Sequence, residues 1–283
     1  MTKTIKNEEF GGERPLFGSH GLKLENVIIH AGESALKECS DIDATECTFE
    51  GKYPFWHVNR FRINHCIFRP GARAALWYSR NLLMTDTLVE APKMFREMEN
   101  LELCSVEILD AEETFWHCRG VRLTDVSVRN ADYLFMGSSI MEITNYKQQG
   151  NYSFQYCKDV TIRNAEIDTK DAFWESENVT VIDSTIRGEY LGWHSKNLRL
   201  INCLIEGTQP LCYAEHLVME NCRMGADADL AFEYSTVDAQ IRGNVTSIKN
   251  PRSGRIVCDS VGELILDQNI KAPADCEIIT AKA

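Results

Sequence analysis

Two glutamate–histidine pairs are the residues of this sequence whose types and spacing could support acid–base chemistry. Glu97 precedes His117 by one period of a repeat described below, and Glu175 precedes His194 by one period as well. The members of each pair should therefore lie on neighbouring turns of the chain, roughly 5 Å apart. At that distance a glutamate can orient a histidine or share a proton with it. We predict the later pair as the first acid–base candidate and the earlier pair as the second.

Aromatic residues flank both pairs. All five tryptophans of the chain share one position of the repeat, which we call the tryptophan column: Trp56, Trp77, Arg96, Trp116, Met136, Gln155, Trp174, Trp193, Cys212 and Glu233. The next position is the histidine column: His57, Tyr78, Glu97, His117, Gly137, Tyr156, Glu175, His194, Tyr213 and Tyr234. Flat rings stack on sugar faces while polar neighbours bond the hydroxyl groups. The two columns therefore favour a saccharide-binding surface.

Gly137 interrupts the histidine column, and we expect a notch about one coil deep where its side chain is missing. The predicted ligand-contacting residues are Trp116, Tyr156, Trp174, Trp193 and Gly137. If there is catalysis, it would be that of a carbohydrate-active lyase or hydrolase, with the glutamates and histidines as acid and base. A second hypothesis stays open, because aromatic columns also stabilise a repeat by stacking on themselves. The protein would then be a self-associating scaffold without catalysis.

These side chains are positioned by a repeat of about 19–21 residues, and a fixed period of this length is typical of a solenoid. Four copies show it plainly, KDVTIRNAEIDTKDAFWES, ENVTVIDSTIRGEYLGWHS, KNLRLINCLIEGTQPLCYA and EHLVMENCRMGADADLAFEYS, and they open at Lys158, Glu177, Lys196 and Glu215. Apolar positions such as Val160 and Ile162 alternate with polar ones, as in a strand with one buried face. The sequence predicts an all-β parallel β-helix of about twelve coils.

The phenylalanine column precedes the tryptophan column and is predicted to fill the core. Its members are Phe17, Leu36, Phe55, Leu76, Phe95, Phe115, Phe135, Phe154, Phe173, Gly192, Leu211, Phe232 and Ile256. Alternation along a strand then places the tryptophan column outside. Glu97 and Glu175 would be unsuited to an interior, so we place the histidine column where each strand ends and the chain turns. A further polar column, with Asn26, Asp125 and Asn202 among its members, predicts a ladder of hydrogen bonds at a bend.

The unbroken period predicts one domain over residues 1–283. We assign residues 17–271 to the coils and residues 1–16 and 272–283 to end caps, because an open coil end exposes unpaired strand edges. Such a solenoid presents long flat surfaces, which favour a side-by-side homo-oligomer.

The composition excludes several classes of partner. The net charge is −12 and no segment concentrates Lys and Arg, so nucleic acid and anionic membrane surfaces are not expected. Mean hydropathy is −0.28, and the first twenty residues contain no hydrophobic signal core. We therefore expect a cytoplasmic protein.

Most of the eleven cysteines occupy repeat positions that elsewhere hold Ser, Thr, Val or Ala. Cys47 and Cys66 share one such position with Cys203 and Cys222. Free cysteine behaves as a small apolar residue, so we expect no disulfide, although the first two are close enough for oxidation in air to link them. No spacing of Cys and His suggests zinc, and we predict neither a metal nor a cofactor.

The repeat phrase resembles a known superfamily. Its N-[LV]-x-[LIV] strand, Asn/Asp bend and F-W-x-[SC] strand are similar to those of the pectin-lyase-like single-stranded right-handed β-helices, and more narrowly to a bacterial family labelled only as a domain of unknown function. The resemblance runs from about Phe17 to Ile270 and implies the right-handed fold. The N-T-D, D-D, G-H-G and R-I-K motifs of the polygalacturonases are absent, so no catalytic residue is carried over.

Overall fold

The structure, a computed structural model, describes residues 3–269 and 274–281, and these residues form strands without any helix. In both units strands pair in parallel with strands one repeat away along the chain, which confirms the predicted all-β parallel solenoid. Parts of the predicted segments, namely residues 1–2, 270–273 and 282–283, lie outside the described residues. The described part of the chain has no helix long and apolar enough to cross a membrane.

The chain divides into two compact units, Met1–Lys147 and Gln148–Ala283. The first contains β1 (Lys3–Lys6), β2 (Glu9–Glu13), β3 (His20–Glu25), β4 (Ile28–Glu33), β5 (Ser40–Thr45), β6 (Thr48–Phe49), β7 (Asn59–Asn64), β8 (Ile67–Phe68), β9 (Leu76–Trp77), β10 (Arg80–Thr85), β11 (Leu88–Val89), β12 (Phe95–Arg96), β13 (Glu99–Ile108) and β14 (Arg119–Leu134). Strand β15 (Ser139–Ser153) has residues in both units. The single-domain assignment stays a prediction.

The second unit contains β16 (Lys158–Lys170), β17 (Glu177–Ile182), β18 (Thr185–Arg187), β19 (Lys196–Ile201), β20 (Leu204–Glu206), β21 (Leu217–Met224), β22 (Thr236–Ile241), β23 (Asn244–Lys249), β24 (Ser253–Cys258), β25 (Ser260–Ile265) and β26 (Asp275–Thr280). The described residues make about 14 turns, slightly more than the predicted twelve. The reason is that coils also form at the ends, where β1 pairs with β3 and β26 with β24.

The pairing register follows the sequence repeat within each unit. In the first, Leu22 pairs with Ile42 and Ile42 with Phe61. In the second, Val160 pairs with Val179 and Val179 with Leu198. Residues at the same repeat position are therefore stacked directly over one another, about 4.8 Å apart.

The phenylalanine column fills the core, as predicted. In the first unit the ring of Phe115 stacks between those of Phe95 and Phe135, at centroid distances of 4.5 Å and 4.7 Å, and all three residues are fully buried. The exception is Phe17, which is 48% exposed. The inward position in that coil belongs to Leu16, whose amide donates to the carbonyl of Ala35.

The polar column forms the predicted ladder at a bend. The Asn26 amide donates to Asn7 at 2.8 Å in the first unit, and that of Asn202 donates to Asp183 at 2.8 Å in the second. These residues have φ between 51° and 54°, in the left-handed region that Asn and Asp tolerate better than other non-glycine residues. The repeated Asn and Asp thus turn the chain and bond coil to coil.

The first coils are also joined by an ionisable stack. His30 Nε2 lies 2.9 Å from a Glu9 carboxylate oxygen, and its Nδ1 lies 3.1 Å from one of Glu50. The hydrogen bond with Glu9, and to a smaller extent the one with Glu50, raises the pKa of His30 above its usual value. The protonated imidazole can donate to both carboxylates, whereas the neutral ring can donate to one.

We expect Phe115→Ala to destabilise the first unit by about 3–5 kcal/mol, because it removes the middle ring of a fully buried stack and leaves a cavity. Phe17→Ala is the matched control, and its effect should stay within about 0.5 kcal/mol because that ring is exposed. Urea unfolding followed by tryptophan fluorescence measures both. Equal effects of the two substitutions would contradict the assignment of the core.

The His30 stack predicts a pH dependence. A raised pKa in the folded state means that the stabilisation is fully present below the unfolded pKa, about 6.5, and is lost as the pH rises through the folded pKa. The thermal unfolding midpoint of the wild type relative to His30→Gln should therefore fall between pH 6 and pH 9. Since glutamine does not titrate, a difference that stays constant over this range would refute the proton-linked stack.

Candidate functional site

The histidine column lies at the turn that follows each tryptophan-column residue. All ten of its members have φ between 49° and 66°, so the chain reverses there in the left-handed conformation. In the second unit the turn is closed by the following serine: Ser176 Oγ donates to the Phe173 carbonyl at 2.9 Å, and Ser195 Oγ to that of Gly192 at 2.7 Å. The predicted strand-end position is confirmed, and Glu97, His117, Glu175 and His194 are all exposed there.

The tryptophan column is half-buried, and its rings stack on their own neighbours. In the first unit Trp56 and Trp77 stack at 5.5 Å, and the Arg96 guanidinium lies 4.2 Å from the ring centre of Trp77 and 4.5 Å from that of Trp116. Both faces of Trp77 are thereby covered. The indole N–H groups of Trp56 and Trp77 donate to the backbone carbonyls of Ala74 and Lys93. These rings are components of a cation–π ladder, and Trp77 offers no free face to a sugar.

The second unit contains a shorter stack of two tryptophans. Trp174 and Trp193 stack at 5.8 Å, and the Trp193 indole N–H donates to the Gln209 carbonyl at 2.8 Å. The Trp174 indole N–H makes a weaker contact of 3.4 Å to a carboxylate oxygen of Glu175.

The two glutamate–histidine pairs are adjacent along the stack, but their side chains are not bonded to each other. The backbone hydrogen bonds from Glu97 to Trp116 and from Glu175 to Trp193 place the members of each pair on consecutive coils. Within residues 3–269 and 274–281, no hydrogen bond or ion pair joins either glutamate side chain to its histidine. The imidazole of His194 stacks instead on Tyr213, at 4.8 Å and 14°. The acid–base roles stay a prediction.

The notch expected at Gly137 is filled. A β-carbon at Gly137 would lie 2.5 Å from Nδ1 of His117, so the imidazole of the preceding coil covers this glycine. The expectation of an empty notch is wrong, because the side chain of the previous coil folds over the space. Trp116, His117 and Gly137 all belong to the first unit.

The second unit has a shallow depression of about 490 Å³ beside the histidine column. It is lined by Tyr156, Lys158, Glu175, Ser176, Glu177, His194, Lys196, Tyr213 and Glu215. The structure thus brings together three of the predicted site residues, Tyr156, Glu175 and His194. Tyr156 is 49% exposed and stacks on no other ring of the described residues.

A row of alternating charges borders this depression and was missed as part of the site. Lys158 pairs with Glu177 at 3.0 Å, and Lys196 with Glu215 at 3.7 Å. These four residues open the four clearest repeats. Their alternating signs at a constant position are the signal that could have predicted them.

A longer groove of about 780 Å³ follows the sheet of the first unit. Arg60 pairs with Asp41 at 2.7 Å along it, and Arg122 lies between Glu102 and Glu142. Apart from these pairs, its walls include apolar residues such as Leu83. None of the predicted site residues lines it. The described residues contain no group of three or more His, Cys, Asp or Glu side chains that could hold a metal ion.

We expect Gly137→Ala to destabilise the protein more than Gly18→Ala. Both glycines have φ of 66°, and a β-carbon at Gly18 meets nothing within 4 Å. Gly18→Ala should therefore show only the backbone strain, about 1–2 kcal/mol, whereas Gly137→Ala must also displace the His117 ring. Urea unfolding of both variants, and of Gly137→Ala in a His117→Ala background, measures the contact. If Gly137→Ala were still more destabilising than Gly18→Ala when His117 is replaced, the contact between His117 and Gly137 would be contradicted.

Solved structures similar to this chain include proteins of two kinds. The chain is similar to PfbA, a surface adhesin of Streptococcus pneumoniae, with 11% identity and a TM-score of 0.51, over 84% of this chain and 83% of that chain. It also matches the A-module of the mannuronan C-5 epimerase AlgE4 of Azotobacter vinelandii, with 12% identity and a TM-score of 0.37, over 99% and 91% of the two chains. No curated relative matches it. At such low identity the similarity to PfbA shows the fold alone.

The family assignment rests on the sequence itself. The family described as Protein of unknown function (DUF3737) matches residues 3–279, which is nearly the whole chain. This confirms the resemblance to a domain-of-unknown-function family, and the chain belongs to the DUF3737 family.

Proposed function

We propose that the second unit binds an oligosaccharide in the depression beside its histidine column. The observation that carries the proposal is the exposed ring of Tyr156, which stacks on no ring of the described residues and lines a depression edged by charged side chains. A free ring face supplies the stacking surface that a sugar needs. The sequence predicts a cytoplasmic protein, so we propose an intracellular oligosaccharide or sugar derivative as the ligand.

The rest of the depression has the polar groups that such a ligand requires. Ammonium groups of Lys158 and Lys196 donate to hydroxyl oxygens, and the carboxylates of Glu175 and Glu177 accept from hydroxyl groups. The stacked rings of His194 and Tyr213 form a wall. Lys158 and Lys196 are paired with Glu177 and Glu215, so Glu175 is the lining carboxylate whose charge is not offset by a lysine. This small net charge suits a neutral saccharide.

Binding without bond cleavage fits this geometry better than catalysis. A glycoside hydrolase needs a carboxyl group that stays protonated near neutral pH, which requires an environment that disfavours its charged form. Glu175 is exposed to solvent and is not hydrogen-bonded to His194. The hydrolase or lyase hypothesis is retained as an outcome of the experiment below.

The first unit favours the scaffold hypothesis for its own tryptophans. The rings of Trp56 and Trp77 cover each other, and Arg96 lies between Trp77 and Trp116. Such contacts stabilise consecutive coils without any ligand. We therefore propose a structural role for this ladder and assign ligand binding to the second unit.

We expect Tyr156→Ala to weaken oligosaccharide binding at least tenfold, which corresponds to about 1.4 kcal/mol. Tyr78→Ala is the matched control: it is a histidine-column tyrosine that is 40% exposed but stacks on His57, outside the depression. A glycan array would identify the ligand, and calorimetry would then measure both variants. Equal losses for the two variants, or no binding to any glycan, would contradict the proposal.

Incubation of the same ligand with wild type and Glu175→Gln distinguishes binding from cleavage. We expect no new reducing ends or unsaturated products from either protein. Turnover that is lost in Glu175→Gln would establish the enzyme hypothesis instead.

A further inference from the structure

Two pairs of cysteines stack on consecutive coils, one pair in each unit. Cys47 and Cys66 form the first, Cys203 and Cys222 the second, and the members of each lie one repeat apart. All four residues are at most 2% exposed, and all are free thiols. Each follows a polar-column residue in the left-handed conformation, so both pairs occupy the same place in the repeat.

The backbone holds the two sulfurs of each pair side by side. The residues two positions before the cysteines are paired in register, Thr45 with Asn64 and Ile201 with Glu220. Cysteine α-carbons are therefore separated by about one coil spacing, roughly 4.8 Å, which lies inside the 4.4–6.8 Å range of disulfides. The amide of Cys47 donates to the sulfur of Cys66 at 3.3 Å, which shows that this sulfur reaches back to the preceding coil.

The two sulfurs of a pair perturb each other. Interaction with the partner sulfur lowers the pKa of Cys47 and raises that of Cys66, and burial adds to the rise. In the second pair the same contact lowers the pKa of Cys222 and raises that of Cys203. One sulfur of each pair is thus the better nucleophile and the other is held against it as a resolving thiol.

We propose that each pair is a dithiol site that a small hydroperoxide converts into a disulfide between consecutive coils. The thiolate of one cysteine attacks the peroxide; its O–O bond breaks, hydroxide or alkoxide leaves, and a sulfenic acid forms. The second sulfur then attacks the first: the S–S bond forms, the S–O bond breaks and water leaves. Two thiols are oxidised and one peroxide is reduced, giving one alcohol (or water) and one water.

The structure also explains why the reaction would be selective. Cys118 is equally buried, but its amide donates to Ser138 of the next coil, and no cysteine of the described residues occupies its position on an adjacent coil. Burial, with a smaller effect of the Glu97 charge, raises the pKa of Cys118 to about 12, so this residue lacks both an activated thiolate and a resolving partner. Each disulfide would close a short loop and tie one coil to the next, which restricts the unfolded chain.

The experiment treats the full-length protein with hydrogen peroxide, blocks the remaining thiols under denaturing conditions and measures the intact mass. Eleven cysteines minus the four in two disulfides leave seven blocked thiols, and peptide mapping should find the Cys47–Cys66 and Cys203–Cys222 links. Oxidation should raise the urea midpoint, and a dithiol reductant should reverse the change.

Single substitutions test the pairing. Cys66→Ala should remove only the first link and Cys222→Ala only the second, whereas Cys118→Ala should retain both. The proposal would be overturned if wild type keeps eleven free thiols, if links join different chains, or if Cys118 is oxidised as fast as the paired cysteines.

Discussion

The in-register parallel hydrogen bonding of each coil to the next is the constraint on which the rest of this structure depends. Because the register is constant, every side chain stacks on its counterparts one coil away, about 4.8 Å above and below. A repeat position can therefore hold only side chains that tolerate such neighbours. Phenylalanines stack, asparagines bond in ladders, and Lys158 and Glu177 alternate in sign. The columns of the sequence are the direct result of this rule, and so are the paired thiols.

The same constraint decides which aromatic residues are available to a ligand. Both faces of a ring in an unbroken column are covered by the side chains of the neighbouring coils, as those of Trp77 are by Trp56 and Arg96. The guanidinium of Arg96 takes the place of a ring in this column. Its buried Nε has no hydrogen-bond partner among the described residues, and the cation–π contacts with the two indoles offset the cost of burying that nitrogen. An aromatic column therefore exposes the edges of its rings to solvent. The stacked ring faces stabilise the coils, and little ring surface is left for a ligand to stack on.

Much of the fold could be predicted from the sequence, because period and alternation report the backbone register. The buried phenylalanines followed from these two features, and the turn position of the histidine column followed once the charge of Glu97 and Glu175 was added to them. Phe17 shows the limit, since the length of the repeat varies from coil to coil and only the hydrogen bond of Leu16 to the next coil fixes the inward position. The site was less predictable, because the repeat position of a residue shows on which coil it lies but not which way its side chain points. His117 lies over Gly137 and His194 on Tyr213, and neither rotamer can be read from spacing.

Ligand binding in such a solenoid should therefore occur where a column is interrupted rather than where it is continuous. Gly137 is one interruption, but the neighbouring imidazole already closes it. Glu175 is another: a carboxylate follows Tyr156 in the stack and cannot cover its ring as an aromatic residue would. The rings of His194 and Tyr213, which come next in the column, stack on each other. The ring of Tyr156 is thus left exposed beside a carboxylate and a row of paired charges, and this local break in the stacking rule is the physical reason to place a ligand there.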